Sequence, residues 1–230
     1  MKKICGKKLA FLLAACVLAA GTFVSCGEDE PEDPTAADSL AKPVGDDPFT
    51  TGNYTALITA TEKDEEYTYT RCYTIDTEER TVSIFYDEDE EVPSQQKKYT
   101  YNDKTITLAL YKAYMPSDMD AYIAHLIEDK EYTGDWKLAG KSEYVSAIEK
   151  LAKAMIPFTE KQLQDSTLSA EDREELEDEL SYWKNEAVKK AIEEFDEPPL
   201  TYAYTKSGNV ITLTNTTADA KILVLTPVSN

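Results

Sequence analysis

Two blocks of strict residue alternation, separated by a long block with helical periodicity, constrain this fold more than any other feature of the sequence. Tyr54, Ala56, Ile58 and Ala60 alternate with Thr55, Leu57 and Thr59. Tyr67, Tyr69, Arg71, Tyr73 and Ile75 alternate with Thr68, Thr70, Cys72 and Thr74. Val82, Ile84 and Tyr86 continue the pattern, and strand-like runs follow at 98–101 and 105–110. Successive side chains of a strand point to opposite faces, so a period of two marks a sheet with one buried face. Aromatic and β-branched residues are the types that pack well there. The breaks at Lys63-Asp64-Glu65, at 76–79 and at Asn102-Asp103 are short and carry turn-forming side chains, which makes neighbouring strands antiparallel hairpin partners. After Pro198-Pro199 the alternation returns at 201–205, 210–214 and 221–226.

Between 116 and 197 the period is helical. Ser117 can cap a first helix running to Ile127. Ser142 can cap a second, with Tyr144, Ile148, Leu151, Ala152 and Met155 on one face and Pro157 at its end. Ser169 with Asp172 three residues later resembles a capping box. Leu176, Leu180, Trp183, Ala187, Ala191 and Phe195 then recur at three- and four-residue steps, and the spacing predicts one long helix up to the proline pair. Such a stripe on a long helix ordinarily packs against its own domain.

Five strands, a helical segment and three more strands make an α+β chain with the insertion between strands 5 and 6. Eight antiparallel strands suffice to close a small barrel and so remove exposed sheet edges; the alternative is a curved sheet packed on the helices. The run Tyr99 to Leu108 is echoed from Tyr202 to Leu213, each a tyrosine strand, a polar turn and an Ile-Thr-Leu strand.

The first 26 residues read as an address. Lys2, Lys3, Lys7 and Lys8 precede an apolar run at 9–24, shorter than the ~20 residues of a bilayer-spanning helix, and small Ser25 precedes Cys26. Phe23-Val24-Ser25-Cys26 resembles the lipobox of bacterial lipoproteins, with Phe where Leu is most usual. The resemblance implies cleavage before Cys26 and acylation of its thiol, which anchors the chain to a membrane outside the cytoplasm. Leu13-Ala14-Ala15-Cys16 also reads as a lipobox, but cutting there would strand 17–24 on the mature surface. The acidic run after Gly27 resembles a surface-export signal of bacterial lipoproteins and implies an outer-membrane, surface-exposed location. Residues 1–25 are thus expected to be a signal peptide, 26–49 an acidic tether, and 50–230 a β-rich domain carrying its helical insertion at 116–197.

Gly52-Asn53-Tyr54 at the first strand, together with the repeated tyrosine hairpin, resembles the lipocalin-like barrels of small bacterial lipoproteins. Their opening is normally Gly-x-Trp, and here Tyr54 stands in place of tryptophan. The helical insertion lies outside that family's pattern. The resemblance implies a barrel that can hold a small molecule.

Composition narrows the chemistry. Lys and Arg number 24 against 44 Asp and Glu, a net charge of −20, and the signal removes only cations. That field repels phosphates and anionic headgroups, so nucleic acid is not an expected partner. The one histidine, His125, lies in the helical run 121–127 and reads as a helix-surface or packed residue. Histidine-rich zinc sites are thereby excluded, and a Ser-His-acid triad survives only through His125. Once the signal leaves and Cys26 is acylated, Cys72 is the remaining cysteine, so no intramolecular disulfide forms. The acidic run at 87–91 lacks the spacing of a calcium loop and reads as a solvated hairpin loop. No glycine-rich phosphate loop is present, and no catalytic residue, metal ligand or cofactor is assigned.

The functional colour lies in fifteen tyrosines. Tyr67, Tyr69 and Tyr73 share a strand face with Arg71, and with Ile106 and Leu108 they are the candidate lining of a pocket for an apolar or amphipathic ligand. The same face also fits a plain half-buried sheet. The expected function is a non-catalytic binding module held at the membrane by its lipid anchor. The alternative is a surface protein contacting host or envelope proteins through its helical insertion. A hydrolase would need a carboxylate pair with a raised pKa in a cleft.

Overall fold

The computed structural model describes residues 34–62, 65–86, 92–215 and 221–228. The expected signal peptide, Cys26 and the acidic run at 87–91 lie outside the described residues. Among them, 34–114 with 198–228 form one compact unit, and 115–197 form a second.

The first unit is a closed antiparallel barrel of eight strands. Its strands are β1 (Gly52–Glu62), β2 (Glu65–Asp76), β3 (Thr81–Phe85), β4 (Gln95–Tyr101), β5 (Thr105–Pro116), β7 (Leu200–Ser207), β8 (Val210–Thr214) and β9 (Lys221–Pro227). Each pairs with the next from β1 to β5. The ring then continues β5–β7, β7–β8 and β8–β9, and β9 closes back on β1. The register sets the inside. Tyr54, Ala56, Ile58 and Ala60 on β1 stand opposite Tyr73, Arg71, Tyr69 and Tyr67 on β2, and opposite Pro227, Leu225, Leu223 and Lys221 on β9. Partners directly opposite share a face, so the tyrosine-rich face of β2 points into the barrel and the threonine face points out.

Local chemistry makes the hairpins. Asp76 Oδ1 accepts from the N–H groups of Glu78 and Glu79, and Asn102 Oδ1 accepts from those of Lys104 and Thr105, so a side chain shapes each turn. Gly208, at φ +60, turns β7 into β8 in a left-handed conformation suited to glycine.

One end of the barrel is filled from below. Phe49, just before β1, packs edge-on against Tyr54 at 6.3 Å and Tyr99 at 5.2 Å between ring centres. The Tyr99 hydroxyl donates to Asp47 Oδ2 at 2.7 Å, and the Tyr54 hydroxyl donates to the Thr50 carbonyl at 3.0 Å. The Val44 N–H donates to the Tyr101 carbonyl at 2.9 Å, so the stretch leading to β1, expected as the end of a tether, lies against the barrel wall.

The second unit holds α1 (Met119–Ile127), the short strand β6 (Trp136–Ala139), α2 (Lys141–Gln162), α3 (Ala170–Asn185) and α4 (Ala187–Asp196). Its core gathers Met119, Tyr122, Leu151, Met155, Trp183 and Ala187. Three local expectations are corrected. Asp118, not Ser117, caps α1 by accepting from the Ala121 N–H at 3.0 Å. Helix α2 starts at Lys141, so Ser142 is not its cap, and it runs through Pro157, because Phe158 packs against the core and Thr159 is fully buried beyond the proline. Pro157 removes the bond to the carbonyl of Lys153, which is exposed and can be met by water. The predicted long helix breaks at Glu186 (φ −121°, ψ −36°) into α3 and α4. Leu176 and Leu180 before the break are half-buried, whereas Ala187, Ala191 and Phe195 after it are buried. Ser169 caps α3 as expected, its hydroxyl accepting from the Asp172 N–H at 3.0 Å and donating to Asp172 Oδ2, while the reciprocal bond of a full capping box is not among those formed.

Candidate functional site

Exposure along the inner face of β2 falls stepwise. Tyr67 is 45% exposed, Tyr69 and Arg71 are half-buried, and Tyr73 is 7% exposed. The face therefore runs from an accessible rim at the β1–β2 hairpin end down into a packed floor. Ile106 is fully buried in that floor with Tyr73, Ile75, Tyr99 and Leu225, and Leu108 is half-buried against the same cluster. Of the six sequence-predicted lining residues, Tyr73 and Ile106 thus belong to the solid core. Tyr67, Tyr69 and Arg71 stand together above it on β2, and Leu108 stands on the wall three strands round, on β5.

Ring contacts tie the upper group together. Tyr67 and Tyr69 stack with centres 5.9 Å apart and planes 16° from parallel. The Arg71 Cζ lies 4.8 Å from the centre of the Tyr69 ring and 4.0 Å from that of Tyr86. Ala56, opposite Arg71, and Ala60, opposite Tyr67, are the smallest side chains of the inner β1 face and leave the tyrosines room.

The electrostatics agree with a semi-enclosed interior. Burial raises the Tyr73 phenol well above its usual range; the Arg71 charge opposes the shift, while the neighbouring phenols of Tyr202, Tyr69 and Tyr86 add to it. Burial likewise raises Tyr202, helped by Tyr69 and opposed by a hydrogen bond with the Asn215 side chain. Four phenols and one guanidinium therefore lie within electrostatic reach of one another. Sequence reasoning left Tyr86 and Tyr202 out of this group. Tyr86 ends an alternating run and Tyr202 opens the second copy of the tyrosine hairpin, so both signals were present.

Arg71 has a further property. Among the described residues, no carboxylate pairs with its guanidinium and no acceptor takes a hydrogen bond from it. Among the described residues, the guanidinium is met by the Tyr69 and Tyr86 ring faces.

Other places are less suited to chemistry. A polar cavity of about 220 Å³ lies beside the short 3-10 helix Ala36–Ser39, lined in part by Arg80, Lys98 and Tyr99, away from the β2 face. His125 Nδ1 bonds the Glu131 carbonyl at 2.8 Å, and its ring meets Tyr132 edge-on. Among the described residues, no group of three or more His, Cys, Asp or Glu side chains is placed to hold a metal ion. The carboxyl groups with shifted pKa move downward: Glu128 through its hydrogen bond with Lys130, Asp165 through the Thr167 N–H, and Glu186 through Lys190.

The fold defines a class, the closed eight-stranded antiparallel barrel, in an α+β chain with a helical insertion, and this is consistent with a lipocalin-like barrel. No protein-family model, curated protein or solved structure matches the chain. No helix among the described residues is long and apolar enough to cross a membrane.

Proposed function

We propose that this chain is a membrane-anchored extracytoplasmic lipoprotein whose barrel binds a small amphipathic ligand without chemically changing it. The observation that carries the reading is the graded inner face of β2, open at Tyr67 and sealed at Tyr73 and Ile106. A barrel serving only as a scaffold has no need of an accessible, tyrosine-lined half above a packed floor. Tyrosine offers a flat apolar body with a hydroxyl at its tip, which suits a ligand with both characters. Acylation at Cys26 would hold the barrel at the outer membrane, where amphipathic molecules partition. The helical insertion gives less support to a partner-binding reading, because Ile127 is its one large apolar side chain exposed among the described residues.

Native mass spectrometry of the chain from Gly27 onward, which keeps every described residue, tests the binding reading. A co-purified small molecule that is lost when Tyr69 and Tyr86 are replaced by Ala supports it. An empty barrel that also fails to take up apolar fluorophores sinks it. Labelling with a fatty-acid analogue in a bacterial host, compared between wild type and Cys26→Ala, tests the anchor.

A further inference from the structure

We infer that the ligand carries an anionic oxygen head, a carboxylate or its equivalent, which the Arg71 guanidinium grips inside the barrel while the ligand's apolar part lies against Tyr69 and Tyr86. This rests on the ligand-binding reading above and adds the ligand's charge class and its anchoring residue.

A guanidinium carries a fixed charge and five N–H donors arranged in a plane, and it matches carboxylate oxygens two at a time. Withdrawing such a group from water without acceptors is unfavourable, and partly enclosed arginines are ordinarily met by carboxylates or carbonyl oxygens. Arg71 is half-buried on the inner face of β2 and has neither among the described residues. Acids outnumber bases by 44 to 24 in this chain, yet among the described residues none is placed against this inward arginine. The facing residue on β1 is Ala56, which can neither pair with the guanidinium nor fill the space in front of it.

The surroundings define the rest of the ligand. The Tyr69 and Tyr86 rings lie 4.8 and 4.0 Å from the guanidinium carbon and hold it by cation–π attraction, which leaves its N–H donors unused. Tyr69 makes no hydrogen bond through its hydroxyl among the described residues, so it adds a neutral donor beside the cation. The net charge of −20 repels anions at long range, so an anion that binds must be drawn by a short-range contact of the kind Arg71 offers.

The test uses two fluorophores with one skeleton, anilinonaphthalene sulfonate and the uncharged phenylnaphthylamine that lacks its sulfonate, titrated into the chain from Gly27 onward. In the wild type the anion is expected to bind about tenfold more tightly than the neutral probe or better. Arg71→Met is expected to remove that preference while leaving the neutral probe's affinity within about threefold, and Arg71→Lys to keep part of it. Equal binding of both probes by the wild type, or an anion preference that survives in Arg71→Met, overturns the inference and leaves the barrel as a carrier of neutral molecules. Binding of neither probe overturns the carrier reading as well. The wild-type comparison stands even if Arg71→Met fails to fold.

Discussion

Ile106 on β5 and Tyr202 on β7 stand directly opposite each other in the barrel wall, although the whole helical insertion lies between them in sequence. Ile106 is fully buried, and this seam joins the chain before the insertion to the chain after it. Ile106→Ala should therefore lower unfolding stability by about 2–5 kcal/mol, the range for emptying a tightly packed core site. Leu57→Ala, on the exposed outer face of β1, should change it by no more than about 0.5 kcal/mol. Urea titration followed by tyrosine fluorescence checks both, and similar losses at the two sites would mean the seam is not packed as described.

Alkaline pH should destabilise this protein through its buried phenols. Tyr73, Tyr99 and Tyr202 have phenols raised above the ordinary value of 10.0 in the folded chain, in each case chiefly by burial. The folded state then holds its protons at pH values where the unfolded chain has lost them, so the stabilising difference is complete below pH 10 and is lost as pH rises beyond it. The expected slope is about 1.4 kcal/mol per pH unit for each buried phenol that stays protonated. Denaturant midpoints should be flat from pH 7 to about 9.5 and fall steeply by 11. Tyr73→Phe should soften that fall, and an unchanged profile in the variant would count against Tyr73 as a contributor.

Gly52 opens β1 at φ +150°, a backbone region that side-chain-bearing residues rarely adopt, although a Cβ there would meet no neighbour. The cost of substitution should accordingly be conformational and not steric. Gly52→Ala and Gly52→Ser should each destabilise by a similar amount, about 1–3 kcal/mol, in thermal melts. A cost that grew steeply with side-chain size would instead mean crowding.

Lys141 at the start of α2 and Asp196 at the end of α4 form an ion pair at 2.6 Å, with side chains only 11% and 27% exposed. Breaking it from one side leaves a sheltered charge alone, so Asp196→Asn should cost about 2 kcal/mol, short of the 3–5 typical of a fully buried pair. Replacing both with Lys141→Met and Asp196→Leu should recover most of that loss. Chemical denaturation of the single and double variants makes the comparison, and additive losses would show that the pair is not coupled.

The barrel was legible because its strands advertise a period of two and its turns carry their own ligands, as Asp76 and Asn102 do. The repeated tyrosine hairpin marked the two hairpins, β4–β5 and β7–β8, that meet at Ile106 and Tyr202. Strand β6 was missed because four residues at Trp136–Ala139 are too few to establish alternation. Pro157 misled because a local penalty was set against apolar residues lying beyond it, and burial of Phe158 and Thr159 prevailed. The break at Glu186 preserves the stripe's spacing, so periodicity alone carries no sign of it. At the candidate site, sequence supplied the β2 residues but not Tyr86, which the β2–β3 hairpin register sets beside Arg71, nor Tyr202, which comes near Tyr73 only when the barrel closes. It also grouped Ile106 with the lining, since alternation tells inside from outside but not rim from floor.

The pairing of β1 with β9, which sets Tyr54 against Pro227, has a consequence in time. The first strand of the barrel finds one of its two neighbours only in β9, the last of the eight strands to be synthesised. Until that strand emerges the ring stays open, and loop closure over such a separation is slow. A chain built this way cannot complete its barrel while part of it is still being made. The eight strands therefore become a ring only once the whole of 52–227 is available at the same time.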